Sequence, residues 1–282
     1  PAYAPVGPDR ACGGQTELFS FTPPCAAALG PDEAARGVGM AVDRAWLLTR
    51  GAPDVVIAVL ADGFDLGDAD LGRAIRLNAG ELPPPRDAGG ATGPHDANGD
   101  GRFDLFDYTS VTGTAAPDLD TLVDPRLTGR DDGGDANGNG RFDPDDLRRA
   151  FANGRDDDGN GLVDDVAGWD FTDDDGDVAA RPGADGGTEA ALIVAATTNN
   201  GVGRAGICPE CRVLPIRVGG GGRASADDVA SGLALAAAAG AAVAVVRADA
   251  ATRAGWAPTG HDDLWVLHEA GAGPRGYVGD AV

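Results

Sequence analysis

Asp54-Val-Val-Ile-Ala-Val-Leu60 is an almost unbroken apolar run, preceded by Gly51-Ala-Pro53 and followed by Ala61-Asp62-Gly63. A strand wetted on one face alternates apolar with polar residues, whereas a continuous run belongs to a strand covered on both faces, as in a parallel sheet. Upstream, Val38, Met40, Ala41, Ala45 and Trp46 recur at helical spacing, so a helix is expected over Asp32 to Arg50, stopped by Gly51-Ala-Pro53. Downstream, Thr188 to Thr198 reads as a helix of small residues and Arg212 to Val218 as a second strand. Ser225 to Ala239 reads as a helix, with Ser225 as N-cap and Asp228 as its reciprocal acid, and Ala242 to Val246 as a third buried strand. Strand, helix, strand, helix, strand predicts an α/β fold with a parallel sheet and crossover helices. From Ala250 to Val282 the periodicity fades and no element is assigned.

The chain has 282 residues and a hydrophobic fraction of 43%, which suits one large globular domain over 1–282. A net charge of -23 disfavours nucleic acid and anionic membranes, and no apolar run is long enough to span a membrane. Cations are the partners this charge selects, with a peptide or protein as a further class; nothing sets the oligomeric state. Four cysteines allow three pairings, of which Cys12 with Cys25 and Cys208 with Cys211 is the expected one. A redox or zinc role for Cys208-Pro-Glu-Cys211 is the alternative, but a strand follows where a redox motif opens a helix, and no second Cys or His pair completes a cage. The even count implies an oxidising, extracellular or periplasmic location.

Residues 78–168 lack sustained periodicity and are dense in Asp, Asn and Gly, which reads as an insertion held by metal. Asp96-Ala-Asn-Gly-Asp-Gly-Arg-Phe-Asp-Leu-Phe-Asp107 has the EF-hand calcium arrangement of a 12-residue loop. Asp96, Asn98 and Asp100 fill positions 1, 3 and 5, Arg102 offers its carbonyl, and Asp104 and Asp107 fill positions 9 and 12. Asp135, Asn137, Asn139, Arg141, Asp143 and Asp146 repeat this position for position. With Asp in place of Glu at position 12, both loops resemble those of dockerins. A third stretch supplies Asp156, Asp158, Asn160, Leu162 and Asp164, then diverges, with Ala167 at position 12. Asp173, Asp175 and Asp177 form a weaker fourth cluster, for which Asx-rich turns are the alternative.

Ile57-Ala-Val-Leu-Ala61-Asp62-Gly63-Phe-Asp65 resembles the V-A-V-I-D-T-G-I-D pattern of the subtilisin-like serine peptidases, and Gly186-Gly187-Thr188-Glu-Ala-Ala191 resembles their H-G-T-x-V-A. Asn199 to Gly206, Val213 to Val218 and Asp156 to Phe171 extend the likeness in the family's order, so that it covers about Arg44 to Val246. The resemblance implies a subtilisin-like, mostly parallel doubly wound sheet carrying the calcium-binding insertion, and serine endopeptidase activity in the family. In this chain the acid position is Ala61 and the imidazole position Gly186, so no catalytic residue is assigned. Asp62 is expected to be a poor stand-in for the acid, because one step along a strand reverses the side chain. The family's G-T-S-x-A serine belongs further downstream; Ser20, Ser110, Ser225 and Ser231 lack that context, and Arg247-Ala248-Asp249 stands where the substrate-binding Ser-Leu-Gly is usual. The resemblance also implies a structural calcium between Asp70 and Asn200, with the carbonyls of Thr198, Val202 and Arg204. The expectation is a secreted, calcium-stabilised peptidase homologue without turnover; the alternative is an extracellular calcium-binding interaction module.

Overall fold

The computed structural model describes residues 18, 40–110, 118–181, 186–220, 223–247, 264–268 and 278–280. Its centre is the opening apolar run, which forms β1 (Val56–Ala61). The other strands are β2 (Trp169–Asp170), β3 (Arg212–Arg217), β4 (Gly219–Gly220), β5 (Arg223–Ala224), β6 (Ala241–Val246), β7 (Trp265–His268) and β8 (Val278–Asp280). A six-stranded sheet runs in the order β2-β3-β1-β6-β7-β8, and β4 with β5 forms a separate hairpin. β1 pairs in parallel with β3, from Val56 opposite Arg212 to Ala61 opposite Arg217, and with β6 on its other edge. β2 and β7 continue the parallel set, and β8 closes it antiparallel.

Period-2 alternation divides the sheet between two cores. Val59, Ala61 and Val213 face one cluster with Ala190, Ala191 and Ala195; Ala58, Leu60, Leu214 and Ile216 face the other with Val229, Leu233 and Ala236. The first three alanines lie on one helix (Gly186–Ala195) and the second set on another (Ala226–Ala238), so helices cover both faces and the sheet is doubly wound. Burying a Val, Leu or Ile in such a layer is worth about 1.5–3 kcal/mol. Ser225 caps the second helix by accepting from Asp228 N at 3.0 Å.

Three expectations need revision. The helix expected over Asp32 to Arg50 is, among the described residues, one turn at Val42–Ala45. It starts at a left-handed Ala41 and ends where Trp46 Nε1 donates to the Ile207 carbonyl at 2.9 Å. The tail left unassigned contributes β7 and β8; a short edge pair carries too few residues to show a period.

The third concerns 78–168, which is more than a set of polar loops. Leu82, Leu105, Phe106, Tyr108, Leu127, Phe142, Leu147 and Val166 are buried in the same cluster as Val59 and Val213. Tyr108 donates to the Pro83 carbonyl at 2.8 Å, and Asn78 N donates to the Val166 carbonyl at 2.8 Å, tying the start of the segment to its end. Within it lie short helices at Pro125–Thr128 and Pro144–Phe151 and a 3-10 turn at Leu105–Tyr108.

Candidate functional site

β1 ends at Ala61, and the helix facing it begins at Gly186. A Cβ placed on Gly186 would lie 3.1 Å from Asp62 Oδ1 and 3.2 Å from Arg247 Nη1, so the two peptidase-like motifs do converge. The dismissal of Asp62 by strand alternation fails, because Asp62 lies beyond the strand end, in a bend, where the period-2 rule no longer acts. Its carboxylate faces the 186 position. Gly186 offers only its backbone there, and Arg247 Nη1 donates to the Gly186 carbonyl at 2.5 Å while Glu189 stands 3.9 Å away. Ala248 and Asp249 lie outside the described residues.

Two details fit the helix that opens with this motif. A Cβ on Gly187 would come within 2.4 Å of the Gly63 carbonyl, so a residue without a side chain is required for the helix to approach the strand end. Thr188 Oγ1 accepts from Asp65 N at 2.8 Å, locking the two motifs together. Beneath them, buried Arg217 donates through Nε to the Asp62 carbonyl at 3.2 Å and pairs with buried Asp170.

A mostly parallel sheet with helices on both faces, in which the end of β1 meets the start of a helix, fits an α/β subtilisin-like fold. Residues 52–246 match the model of the subtilase family, and the chain belongs to that family. No curated protein matches it.

The acidic loops are built alike. Asp96 accepts from Asp100 N and Gly101 N, both at 3.0 Å, and Asp135 accepts from Asn139 N at 2.9 Å and Gly140 N at 3.0 Å. Gly101 and Gly140, at position 6, have φ of 84° and 81°, a region that side chains with a Cβ avoid. At position 12, Asp107 Oδ1 accepts from Ala97 N at 2.8 Å and Asn98 N at 3.2 Å, while its Oδ2 accepts from Asp104 N at 2.8 Å. Asp146 repeats this with Asn137 N at 3.1 Å and Asp143 N at 2.9 Å.

Positions 9 and 12 are also spaced as a capping box. Asp104 with Asp107 opens the 3-10 turn, and Asp143 with Asp146 opens the helix at Pro144. Burial pushes Asp107 up to about 6, and burial followed by the charge of Asp143 pushes Asp146 up to about 7. Burial also raises Asp104, whose Oδ2 has no hydrogen-bond partner and stands 3.6 Å from Arg73 and 3.7 Å from Arg212. Buried carboxylates gathered around a loop are a donor set suited to a hard, oxygen-seeking cation such as calcium, although Asp104 Oδ2 already faces two guanidinium groups. Arg73 also donates to Asp100 at 2.6 Å, offsetting part of the charge of the first loop. The Arg102 side chain pairs with Glu210, and Arg141 at the matching place is exposed.

The third loop opens the same way and closes differently. Asp156 accepts from Gly159, Asn160 and Gly161, Asp158 accepts from Asn160 N at 2.9 Å, and Asn160 Oδ1 accepts from Leu162 N at 2.7 Å. With Ala167 at position 12 no capping box forms; Asp164 turns left-handed at φ 58°. Its carboxylate accepts from Asn153 N and Gly154 N, away from Asp156 and Asp158. Asp165 takes the inward place instead, accepting from Asn78 Nδ2 at 2.8 Å and Asn160 Nδ2 at 3.1 Å, and burial pushes it up to about 6. Glu81 joins from outside the loop.

The structure also brings Asp70 and Asn200 together. Asn200 Nδ2 donates to Asp70 Oδ1 at 2.6 Å and Arg204 N to Asp70 Oδ2 at 2.8 Å, so both carboxylate oxygens accept N–H groups and the pair staples the loop by hydrogen bonds. The fourth cluster resolves into turns and ion pairs: Asp173 pairs with Arg181 and Arg217, Asp175 accepts from Asp177 N, and Asp177 pairs with Arg148 at 3.2 Å. Cys208 and Cys211 are bonded to each other with Cα atoms 5.3 Å apart; Cys12 and Cys25 lie outside the described residues. His95 is half-buried, with Nε2 3.0 Å from the Leu82 carbonyl and its ring edge-on to Phe103.

Proposed function

We propose that this subtilase-family chain is an exported, calcium-stabilised domain that does not hydrolyse peptides. The observation that carries the reading is the pairing of Ala61 with Gly186 at the converged motifs, where Arg247 holds the Gly186 backbone. A serine nucleophile in this family is activated by an imidazole that a carboxylate orients. Asp62 supplies a carboxylate facing position 186, but nothing at 186 accepts a proton.

Calcium is assigned to three loops. Asp96, Asn98, Asp100, Asp104 and Asp107 with the Arg102 carbonyl would hold it in the first, and Asp135, Asn137, Asn139, Asp143 and Asp146 with the Arg141 carbonyl in the second. Asp156, Asp158 and Asn160 with the Leu162 carbonyl would hold it in the third. When bound, the cation neutralises crowded carboxylates, among them Asp107 and Asp146, whose burial disfavours their charged form. Asp70 and Asn200, whose side chains meet at 2.6 Å, would hold a further calcium with the carbonyls of Thr198, Val202 and Arg204. The insertion 78–168 is assigned to the same folding unit as the rest of the chain because its apolar residues share a core with β1 and β3.

The Cys208–Cys211 bond supports an oxidising compartment. Exposure to a fluorophosphonate serine probe in calcium tests the catalytic part of the reading. No label is expected, and stoichiometric labelling of any serine would overturn it.

A further inference from the structure

We propose that Glu81 is the missing twelfth ligand of the third loop, delivered from the opposite end of the insertion, so that one divalent cation clasps both ends of residues 78–168. The inference deepens the calcium reading and rests on it.

The first two loops show what a position 12 carboxylate does in this chain: it accepts the backbone N–H groups of positions 2 and 3 in the first loop and of position 3 in the second. Asp107 accepts from Ala97 N and Asn98 N, and Asp146 accepts from Asn137 N. In the third loop positions 2 and 3 are Asp157 and Asp158, and their N–H groups donate to Glu81 Oε1 at 2.8 and 3.1 Å. Glu81 therefore occupies, relative to Asp156–Asn160, the place that Asp107 and Asp146 occupy in their own loops.

Its other oxygen points to a ligand. Glu81 is only 4% exposed, and Oε2 is buried without a hydrogen-bond partner. An orphaned, nine-tenths-buried carboxylate oxygen is costly unless something cationic meets it. Glu81, Asp156 and Asp158 each offer an oxygen, and these oxygens lie within 4.8 Å of one another. Asn78 frames the group, donating through Nδ2 to Asp158 Oδ2 at 2.9 Å and to Asp165 Oδ1 at 2.8 Å. The turn that presents Glu81 is fixed: Leu82 N and Glu81 N donate to the Asn78 carbonyl, and Asn78 N donates to that of Val166. All the converging donors are oxygens, and the carboxylates of Glu81, Asp156, Asp158 and Asp165 outnumber the Arg76 guanidinium, whose charge acts on Asp158 and Asp165. That chemistry selects a hard divalent ion, calcium before zinc.

A loop closed from within its own 12 residues staples only itself. A loop closed by Glu81 joins chain segments 75 and more residues apart (Asp156 to Glu81 is 156 − 81 = 75), and so limits the freedom of the whole insertion.

The experiment counts bound calcium on the whole chain by equilibrium dialysis, for the unaltered protein, Glu81→Gln, Glu81→Asp and Asp135→Ala. Glu81→Gln keeps an oxygen to accept from Asp157 N and Asp158 N, so its chelated form should melt within experimental error of the unaltered one. In calcium it should bind one ion fewer and show a smaller calcium-induced rise in melting midpoint. Glu81→Asp, withdrawn by one methylene, should weaken that same ion. Asp135→Ala should lose a different ion, and its loss should add to that of Glu81→Gln. An unchanged ion count and unchanged calcium response in Glu81→Gln, with Asp135→Ala losing one ion, overturns the Glu81 assignment alone. An unaltered chain that binds no calcium overturns the calcium reading itself.

Discussion

Asp135→Ala separates two roles that the second loop combines. In calcium-free solution the Asp135 carboxylate is an acceptor for Asn139 N and Gly140 N, both exposed. Exposed donors recover bonds to water, so the substitution should cost about 1 kcal/mol in chelator. A native-state site at about a hundredfold excess of calcium over its Kd adds about 2.7 kcal/mol, and Asp135→Ala removes that as well. For a chain of this size 1 kcal/mol moves the melting midpoint by about 2–4 °C. The variant should therefore melt about 2–4 °C lower in chelator, and a further 5–11 °C lower in saturating calcium, which is about 2.7 kcal/mol on the same scale. Differential scanning calorimetry under both conditions measures the two drops. Equal drops would show that Asp135 is only a hydrogen-bonding staple and would refute its role as a ligand.

The chelated protein should lose stability as pH rises. Asp146 is raised to about 7, and Asp107 and Asp165 to about 6, so the folded chain holds protons the unfolded chain releases. Their contribution is fully present below about pH 4 and fades through pH 6–7, while calcium uptake strengthens over the same range because its ligands must be deprotonated. Melting midpoints in chelator that rise between pH 5 and 7.5 would contradict this. Leu147→Ala, at a fully buried position of the insertion, should lower stability by about 2–5 kcal/mol in one cooperative transition shared with the rest of the chain. A separate, earlier unfolding step for the insertion would show that 78–168 is its own unit.

The central strands were legible in the sequence because Val56–Ala61, Arg212–Arg217 and Ala241–Val246 carry their signal in a few consecutive residues, although Ala242 in the third is exposed. The first two loops were legible for the same reason: every proposed ligand lies within one 12-residue window. Glu81, Asp165 and Asn78 were not, because nothing in the local pattern around Asn78-Ala-Gly-Glu81 points to a partner so far along the chain. Asp164 was placed by counting positions, and the count fails once Ala167 removes the acid that would close the capping box. Asp62 was misjudged because strand alternation was extended one residue past the strand's end. Arg247 stood out only by replacing part of the usual substrate-binding Ser-Leu-Gly; its contact with Gly186 depends on how the end of β6 faces the start of a helix.

The central claim is that this subtilase-family scaffold holds calcium but lacks the proton acceptor for peptide cleavage. Hydrolysis of a mixed library of unstructured peptides by the intact chain, at neutral pH in saturating calcium, tests it most directly. The account predicts no product above the enzyme-free blank. Saturable hydrolysis that disappears in Asp62→Ala would contradict it, showing that the carboxylate facing position 186 works with a base this reading does not contain.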